Sequence, residues 1–320
     1  MSDRLTLEDG ALAAIPPVGA LPAQCHVFEH DSIDAVNAAL AARRPLLVRG
    51  EPGTGKSQLA HAAAIGLGRV FLAKVVDVRT EPRDLLWRFD AVARLAQAQV
   101  VGALPGIDRA ALEQEMREQR YVRPGPLWWA FDWPSALAQA PGEAPPTPDR
   151  WKPKDGAVVL IDEIDKASSD VPNGLLEALG SGAFSPPGFD RPIAADATTP
   201  PLVVVTTNEE RALPDAFLRR CLVLHLALPS ARSELTELLV ARGEAHFPSS
   251  SEAVRQRAAE LLIEDRQELR DRGLSAPGQA EYLDLLRAVL DLADGTKEQL
   301  ALIERLRRYT YAKHPPESEA

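Results

Sequence analysis

Cysteine is nearly missing from this chain of 320 residues, with only Cys25 and Cys221 present. A disulfide framework is therefore not expected, and a reducing cytoplasm is the simplest setting. Cys25, His26 and His30 lie close in sequence but lack a fourth nearby ligand, so they read as loop residues rather than a metal centre. No apolar run approaches the roughly 18 residues that would span a bilayer. The opening MSDRLTLEDG lacks the basic start and unbroken apolar core of a secretory signal, and ALAAIPPVGALPA is cut by prolines. Positive charge is short as well: 36 Lys and Arg face 46 Asp and Glu, a formal net charge of −10. A chain that lives on nucleic acid needs a concentrated cationic surface, so that class is disfavoured, although a local basic patch is compatible with the total.

What remains is an ordinary globular composition, 45% hydrophobic and 26% charged, with length for about two domains. Residues 1–27, rich in Ala and Pro, read as an irregular leader. Asp31 and Ser32 can cap a helix running to about Arg44, with Ile33, Val36 and Leu40 on one face. Short apolar runs then alternate with helical stretches: PLLV (45–48), VFLAKVV (70–76), AVVLI (157–161), LVVVTT (202–207) and CLVLHLAL (221–228). Runs apolar on both faces suit strands covered by helices on both sides, which predicts an α/β layer fold around a largely parallel sheet over 28–229. Beyond Pro229 the periodicity is helical only. Val254, Ala258, Leu261 and Leu262 make one face, Tyr282, Leu285, Leu286 and Val289 a second, and Leu300, Ile303 and Leu306 a third. A small all-helical domain over 230–313 is expected, with a frayed tail at 314–320.

RGEPGTGKSQLAH, 49–61, follows the first apolar run directly. Gly50, Gly55, Lys56 and Ser57 fill the spacing G-x-x-x-x-G-K-[ST], which chance alone produces in about 1% of such chains. The flanks therefore decide. A phosphate cradle needs a strand to deliver the loop, glycines that let backbone N–H groups crowd inward, and a helix whose positive end faces the anion. PLLV, EPGTG and KSQLAHAAAIGLG supply these in order, whereas a plain helix-initiating turn has no use for the lysine. The expected nucleotide contacts are Gly50, Glu51, Pro52, Gly53, Thr54, Gly55, Lys56, Ser57 and Gln58, with the Lys56 ammonium on the terminal phosphates and the Ser57 hydroxyl in a Mg²⁺ shell.

VVLIDEIDKA, 158–167, ends an apolar strand on two adjacent carboxylates. Alone, these could be an exposed acidic turn capping the next helix. Beside a phosphate loop, Asp162 suits a Mg²⁺-organising role and Glu163 the polarising of an attacking water, since chemistry in an open sheet gathers at the C-terminal strand ends. LVVVTT ends at Asn208, whose amide can hold both that water and the terminal phosphate; asparagine also simply favours turns.

These segments, with RALPDAFLRRC at 211–221, resemble the AAA+ ATPases, and specifically the MoxR group, over about residues 28–290. The resemblance implies a P-loop NTPase αβα sandwich with a helical lid, in which Asp162 and Glu163 form Walker B, Asn208 is sensor 1, and an arginine finger lies at Arg219 or Arg220. Arg220 matches the family position better, with Arg219 a second contact; a surface arginine pair is the plainer alternative. The resemblance further implies ATP and Mg²⁺ as cofactors, a homo-oligomeric ring, usually of six, and a chaperone-like role on protein clients, often with a von Willebrand A domain protein. Rivals are a nucleic-acid motor, a nucleotide-gated scaffold without turnover, and a small-molecule kinase. One departure stands out. The lid helix opening at APGQAEYLDLL, 276–286, has no arginine in its first turn, leaving Arg272 and Arg287 as candidates for a lid arginine.

Between Lys56 and Asp162 the chain is longer than one crossover needs, so something is inserted. Trp128, Trp129, Trp133 and Trp151 lie within it and read either as a local core or as anchors for another chain. The family likeness includes a GPL segment here, Gly125 to Leu127. It also includes a hairpin over 182–201 and a helix over 80–99, in which Glu81 and Arg83 read as solvated charges.

Overall fold

The computed structural model describes residues 4–17, 19, 22–102 and 113–311; the expected tail at 314–320 lies outside them. The chain divides into two compact units. One comprises the residues up to Leu7, Asp31–Val48 and Ala60–Leu224; the other comprises Glu8–His30, Arg49–Leu59 and the residues from His225 onward.

The first unit holds a five-stranded sheet, and each of the apolar runs forms one of its strands. With β1 (Leu12–Ile15) and β2 (Gln24–Val27) preceding them, these are β3 (Leu46–Arg49), β4 (Val70–Val75), β7 (Ala157–Asp162), β10 (Leu202–Thr207) and β11 (Leu222–His225), in the spatial order β11-β3-β10-β7-β4. β7 pairs in parallel with both neighbours: Val158 lies opposite Phe71 on one side and Leu202 on the other. Both faces of β7 are buried from Ala157 to Ile161, which is why its residues are Val, Leu and Ile without alternation. Helices α1 (His30–Ala42) and α2 (Lys56–Leu67) flank the strands in sequence.

The stretch 80–99 is not one helix. Pro82–Leu85 forms a single 3₁₀ turn, Trp87–Phe89 is strand β5, antiparallel to β6 (Val122–Pro124), and helix α3 (Ala91–Gly102) begins after it. Trp87 and Phe89 pack against the core while Arg88 between them is exposed, a period of two that overrides helical propensity. Glu81 and Arg83 pair with each other at the surface, as solvated charges would.

The tryptophan segment forms two short helices, α4 (Pro126–Phe131) and α5 (Trp133–Gln139), and its rings fill the core. Trp128, Trp129 and Trp133 are buried; Trp133 stacks edge-on between Trp129 and Trp151 at centroid distances of 4.8 and 4.6 Å. Buried Trp needs its N–H satisfied, and Trp128 donates to Ser135 Oγ at 2.7 Å while Trp151 donates to the Gly156 carbonyl at 3.0 Å. After helices α6 (Asp170–Gly174) and α7 (Leu176–Ser181), the segment 182–201 contains a small antiparallel pair, β8 (Ala183–Phe184) and β9 (Ile193–Ala194). Its Phe184 and Phe189 rings lie edge-on to Trp128.

The second unit is built on helices α9 (Arg232–His246), α10 (Glu252–Asp271), α11 (Gln279–Leu292) and α12 (Thr296–Thr310), which follow α8 (Asp215–Leu218) of the first unit. The predicted faces form its core, with Val254, Ala258, Leu261, Tyr282, Leu285, Val289 and Ile303 all buried. Where the sequence suggests an irregular leader, β1 and β2 pair as an antiparallel hairpin, Leu12 opposite Val27 and Ile15 opposite Gln24. Proline-rich flanks hide this four-residue register from any periodicity test.

Two histidines in this unit make its stability depend on pH. The Nε2 atoms of His26 and His246 are buried without a hydrogen-bond partner among the described residues. Burial pushes both rings down to about 4, helped at His26 by Arg242 and at His246 by Arg287 and Arg242. Arg242 is itself fixed by the Val27 carbonyl at 2.9 Å and by Glu29. Between about pH 6.5 and 4 the unfolded chain therefore binds more protons than the native one, so stability falls as pH drops through that window. The loss is at most about 3 kcal/mol per ring. Urea unfolding from pH 7 to 4 should show this slope, and His26→Phe should flatten it.

Candidate functional site

The glycine-rich loop joins β3 to α2, the strand, loop and helix succession that the phosphate-cradle motif demands. Its backbone tolerates little else. Gly50 has φ +150° and a Cβ there would stand 2.1 Å from the Leu226 carbonyl oxygen; at Gly53, φ +77°, a Cβ would meet Ala280 at 3.0 Å. Both positions combine a left-handed backbone with close approach, so glycine is required. Lys56, 7% exposed at the first position of α2, donates from Nζ to the Gly50 and Glu51 carbonyls at 2.7 and 2.8 Å. The ammonium thus lies over the loop's own rim, within reach of an anion seated in it. Thr54 Oγ1 closes the turn on the Glu51 carbonyl at 2.9 Å, Ser57 follows Lys56 in the helix, and Gln58 donates to the Gln24 side chain at 2.9 Å. Pro52 completes the loop.

The lid helices hold this loop through residues that the sequence did not single out. The N–H of Ala280, in the first turn of α11, donates to the Gly53 carbonyl at 3.2 Å. Glu51 accepts from two arginines of α10: Arg266, whose side chain is 4% exposed, and Arg270 at 2.8 Å. Arg266 also donates to the Pro277 carbonyl at 2.8 Å. The candidates for a lid arginine point elsewhere: Arg272 pairs with Glu268 at 3.8 Å, and Arg287 pairs with Asp284 at 3.7 Å and lies over the Phe247 ring. The spacing 266 and 270 on one helix face is the signal that could have found the pair, but only with its acidic partner known.

Burial raises the Glu51 carboxyl, yet the hydrogen bonds and charges of Arg266 and Arg270 outweigh this and hold it below its ordinary 4.5. Its contribution to stability is therefore complete above pH 4.5 and is lost as pH falls through the lowered native value. Glu51→Ala leaves the buried Arg266 without its carboxylate and should cost about 1–3 kcal/mol near neutral pH, the partial exposure of Glu51 limiting the effect. Denaturant midpoints should show it, with mutant and parent converging in acid.

At the ends of β7 and β10 the expected acids and amide are brought together. Thr206 Oγ1 donates to Asp162 Oδ1 and accepts from the Glu163 backbone N–H at 2.9 Å. Glu163 sits at φ 58°, ψ 48°, left-handed and uncommon for a residue with a side chain. Such backbone strain, of order 1–3 kcal/mol, persists where surrounding contacts over-determine it. Here it turns the carboxylate toward Asn208, whose Nδ2 donates to Oε1 at 3.3 Å, while Lys166 Nζ donates to Oε2 at 2.6 Å. Buried Asp165 anchors the next loop, accepting from the Asn208 N–H at 3.4 Å and the Glu210 N–H at 2.9 Å. Thr206, Asp165 and Lys166 lie inside the quoted motifs yet reveal their roles only once β7 and β10 are paired.

The arginine pair follows α8. Arg220 turns its Nη1 back to the Ala216 carbonyl at 3.0 Å, and Gly180 of α7 leaves room beside it. Arg219 is exposed, and its guanidinium has no partner among the described residues. Among the described residues, no group of His, Cys, Asp and Glu is suited to hold a metal ion by itself, and no helix is long and apolar enough to cross a membrane.

Residues 45–221 match the family model described as the AAA domain of the dynein-related subfamily. No curated protein matches the chain. Among solved structures it is similar to a single-site mutant of RuvB from Thermotoga maritima, 19% identical with a TM-score of 0.45, covering 87% of this chain and 68% of that one. It is also similar to the RuvB Holliday junction branch migration motor of that organism (18%, TM-score 0.43, covering 88% and 70%). A protein of Cytophaga hutchinsonii described provisionally as an ATPase is 16% identical, with a TM-score of 0.37, covering 87% and 78%.

Proposed function

Because the chain belongs to the AAA domain family, dynein-related subfamily, we propose that it is a Mg²⁺-dependent ATPase of the MoxR type, working as a homo-oligomeric ring on protein clients. The observation that carries the catalytic reading is the bonded set Asp162, Thr206, Glu163 and Asn208, which holds a strained glutamate in place by contacts from the adjacent strand.

The residues fit the groups they would bind. The loop at 50–58 has the glycine backbone such a cradle needs, since a Cβ at Gly50 would strike the Leu226 carbonyl, and Lys56 supplies a cation on its rim. Ser57 and Asp162 offer hard oxygen ligands of the kind Mg²⁺ takes alongside phosphates. Mg²⁺, when bound, neutralises charge on the triphosphate. Glu163 accepts a hydrogen bond from the attacking water, since each of its oxygens keeps a second lone pair beside the bonds from Asn208 and Lys166. The water oxygen attacks the terminal phosphorus as its proton passes to Glu163, the bridging P–O bond breaks, and ADP and inorganic phosphate leave. Charge developing on the transferred group is met by Arg219 or Arg220 of an adjacent copy, which would tie turnover to assembly.

The contacts of Ala280, Arg266 and Arg270 with the loop tie it to helices α10 and α11, so a nucleotide that shifts the loop backbone would bias those contacts. A von Willebrand A domain protein is the partner to try first. The purified protein should release phosphate steadily from ATP with Mg²⁺ and be stimulated by that partner. Absence of turnover would refute the reading, and stimulation by DNA with salt-dependent binding would replace it with a nucleic-acid motor.

A further inference from the structure

Helix α1 ends in a way that aims one side chain. Arg43 is left-handed, φ 53°; its N–H returns to the Leu40 carbonyl at 3.2 Å, and the Arg44 N–H to the Ala39 carbonyl at 3.1 Å. This pair of bonds is a Schellman ending, and it fixes the direction in which Arg44 leaves the helix. One residue later the Pro45 carbonyl accepts from the Leu222 N–H at 2.9 Å, so the chain runs directly beside the segment that follows α8. The Arg44 guanidinium spans two successive carbonyls there: Nη2 donates to Arg219 and Nε to Arg220 at 3.1 Å.

Those two carbonyls belong to the arginine pair. A guanidinium across a helix end ordinarily satisfies orphan carbonyls and nothing more. Two features set this one apart. The backbone it holds is that of Arg219, whose own guanidinium has no partner among the described residues. Moreover, Arg43 and Arg44 line one cavity with Asp196 and with Gly180, the glycine beside which Arg220 lies, so the end of α1 and the arginine pair face the same part of the surface. Arg44 holds its neighbours by planar geometry at two acceptors, which a lysine cannot reproduce.

We propose that Arg44 is a positioning residue for the trans-acting arginine, holding the 219–220 backbone so that the Arg219 side chain projects toward the anion of a neighbouring copy. The inference rests on the shared-site reading above. Misplacing a transition-state contact by about 1 Å costs on the order of 100-fold in rate. Arg44→Ala should accordingly lower kcat between 10- and 100-fold, with KM for ATP unchanged and the oligomer intact by light scattering. Arg44→Lys, which keeps the charge and one hydrogen bond, should fall between the two and serves if the alanine variant does not fold.

The decisive readout is mixing. Glu163→Gln subunits cannot turn over but carry intact arginines, so titrating them into Arg44→Ala protein should raise turnover per Arg44→Ala chain several-fold. A merely structural role predicts no such rescue, and unchanged kcat in assembled Arg44→Ala would overturn the proposal outright. If Arg219→Ala and Arg220→Ala both turn over fully, the shared-site reading itself has failed, a result distinguishable from loss of Arg44 alone.

Discussion

Glu163→Gln should bind ATP as tightly as the parent and lose turnover by about 10²- to 10⁴-fold, the contribution of a positioned general base. The amide keeps the shape of the side chain and its oxygen can still accept from Asn208, while the backbone N–H keeps its bond to Thr206 Oγ1, but the side chain no longer attracts the proton of the attacking water. Lys56→Ala should do the opposite. Removing the ammonium that lies over the Gly50 and Glu51 carbonyls takes away a charge needed in ground state and transition state alike, so nucleotide affinity itself should collapse. Titration with a fluorescent ATP analogue, set beside phosphate release, separates the two. Equal loss of binding in both variants would mean that the acid and the lysine have been given the wrong roles.

Arg219→Ala should lower turnover about 10³- to 10⁵-fold, because a cation delivered from the neighbouring copy meets charge that exists only in the transition state. Arg220→Ala should cost less: its guanidinium is engaged by the Ala216 carbonyl, whereas that of Arg219 is exposed and unpartnered among the described residues. Mixing Arg219→Ala with Glu163→Gln subunits should restore activity, since intact arginines then face intact acids. Rate measurements on a series of mixing ratios check this, and a strictly additive decline would exclude sharing.

Much of the fold is legible in the sequence. The strands are readable because a run such as AVVLI is buried on both faces, and the phosphate loop because Gly50, Gly55, Lys56 and Ser57 obey a local backbone requirement. The positions of Asp162, Glu163 and Asn208 at strand ends are readable because the apolar runs before them fix those ends. What stayed hidden depends on pairing across the chain. Trp87 and Phe89 become a strand only against Val122–Pro124, and Leu12–Ile15 only against Gln24–Val27. Glu51, unremarkable inside its motif, meets Arg266 and Arg270 more than 200 positions away. The tryptophans were readable either as core or as anchors, and burial beside Phe184 and Phe189 makes them core.

ATP turnover per chain, followed across a dilution series while light scattering reports the mass, tests most directly whether hydrolysis belongs to an assembly. Specific activity should fall as oligomers dissociate and vanish in the monomer, whose Arg219 faces no second nucleotide. Constant turnover per chain down to verified monomers would contradict the account.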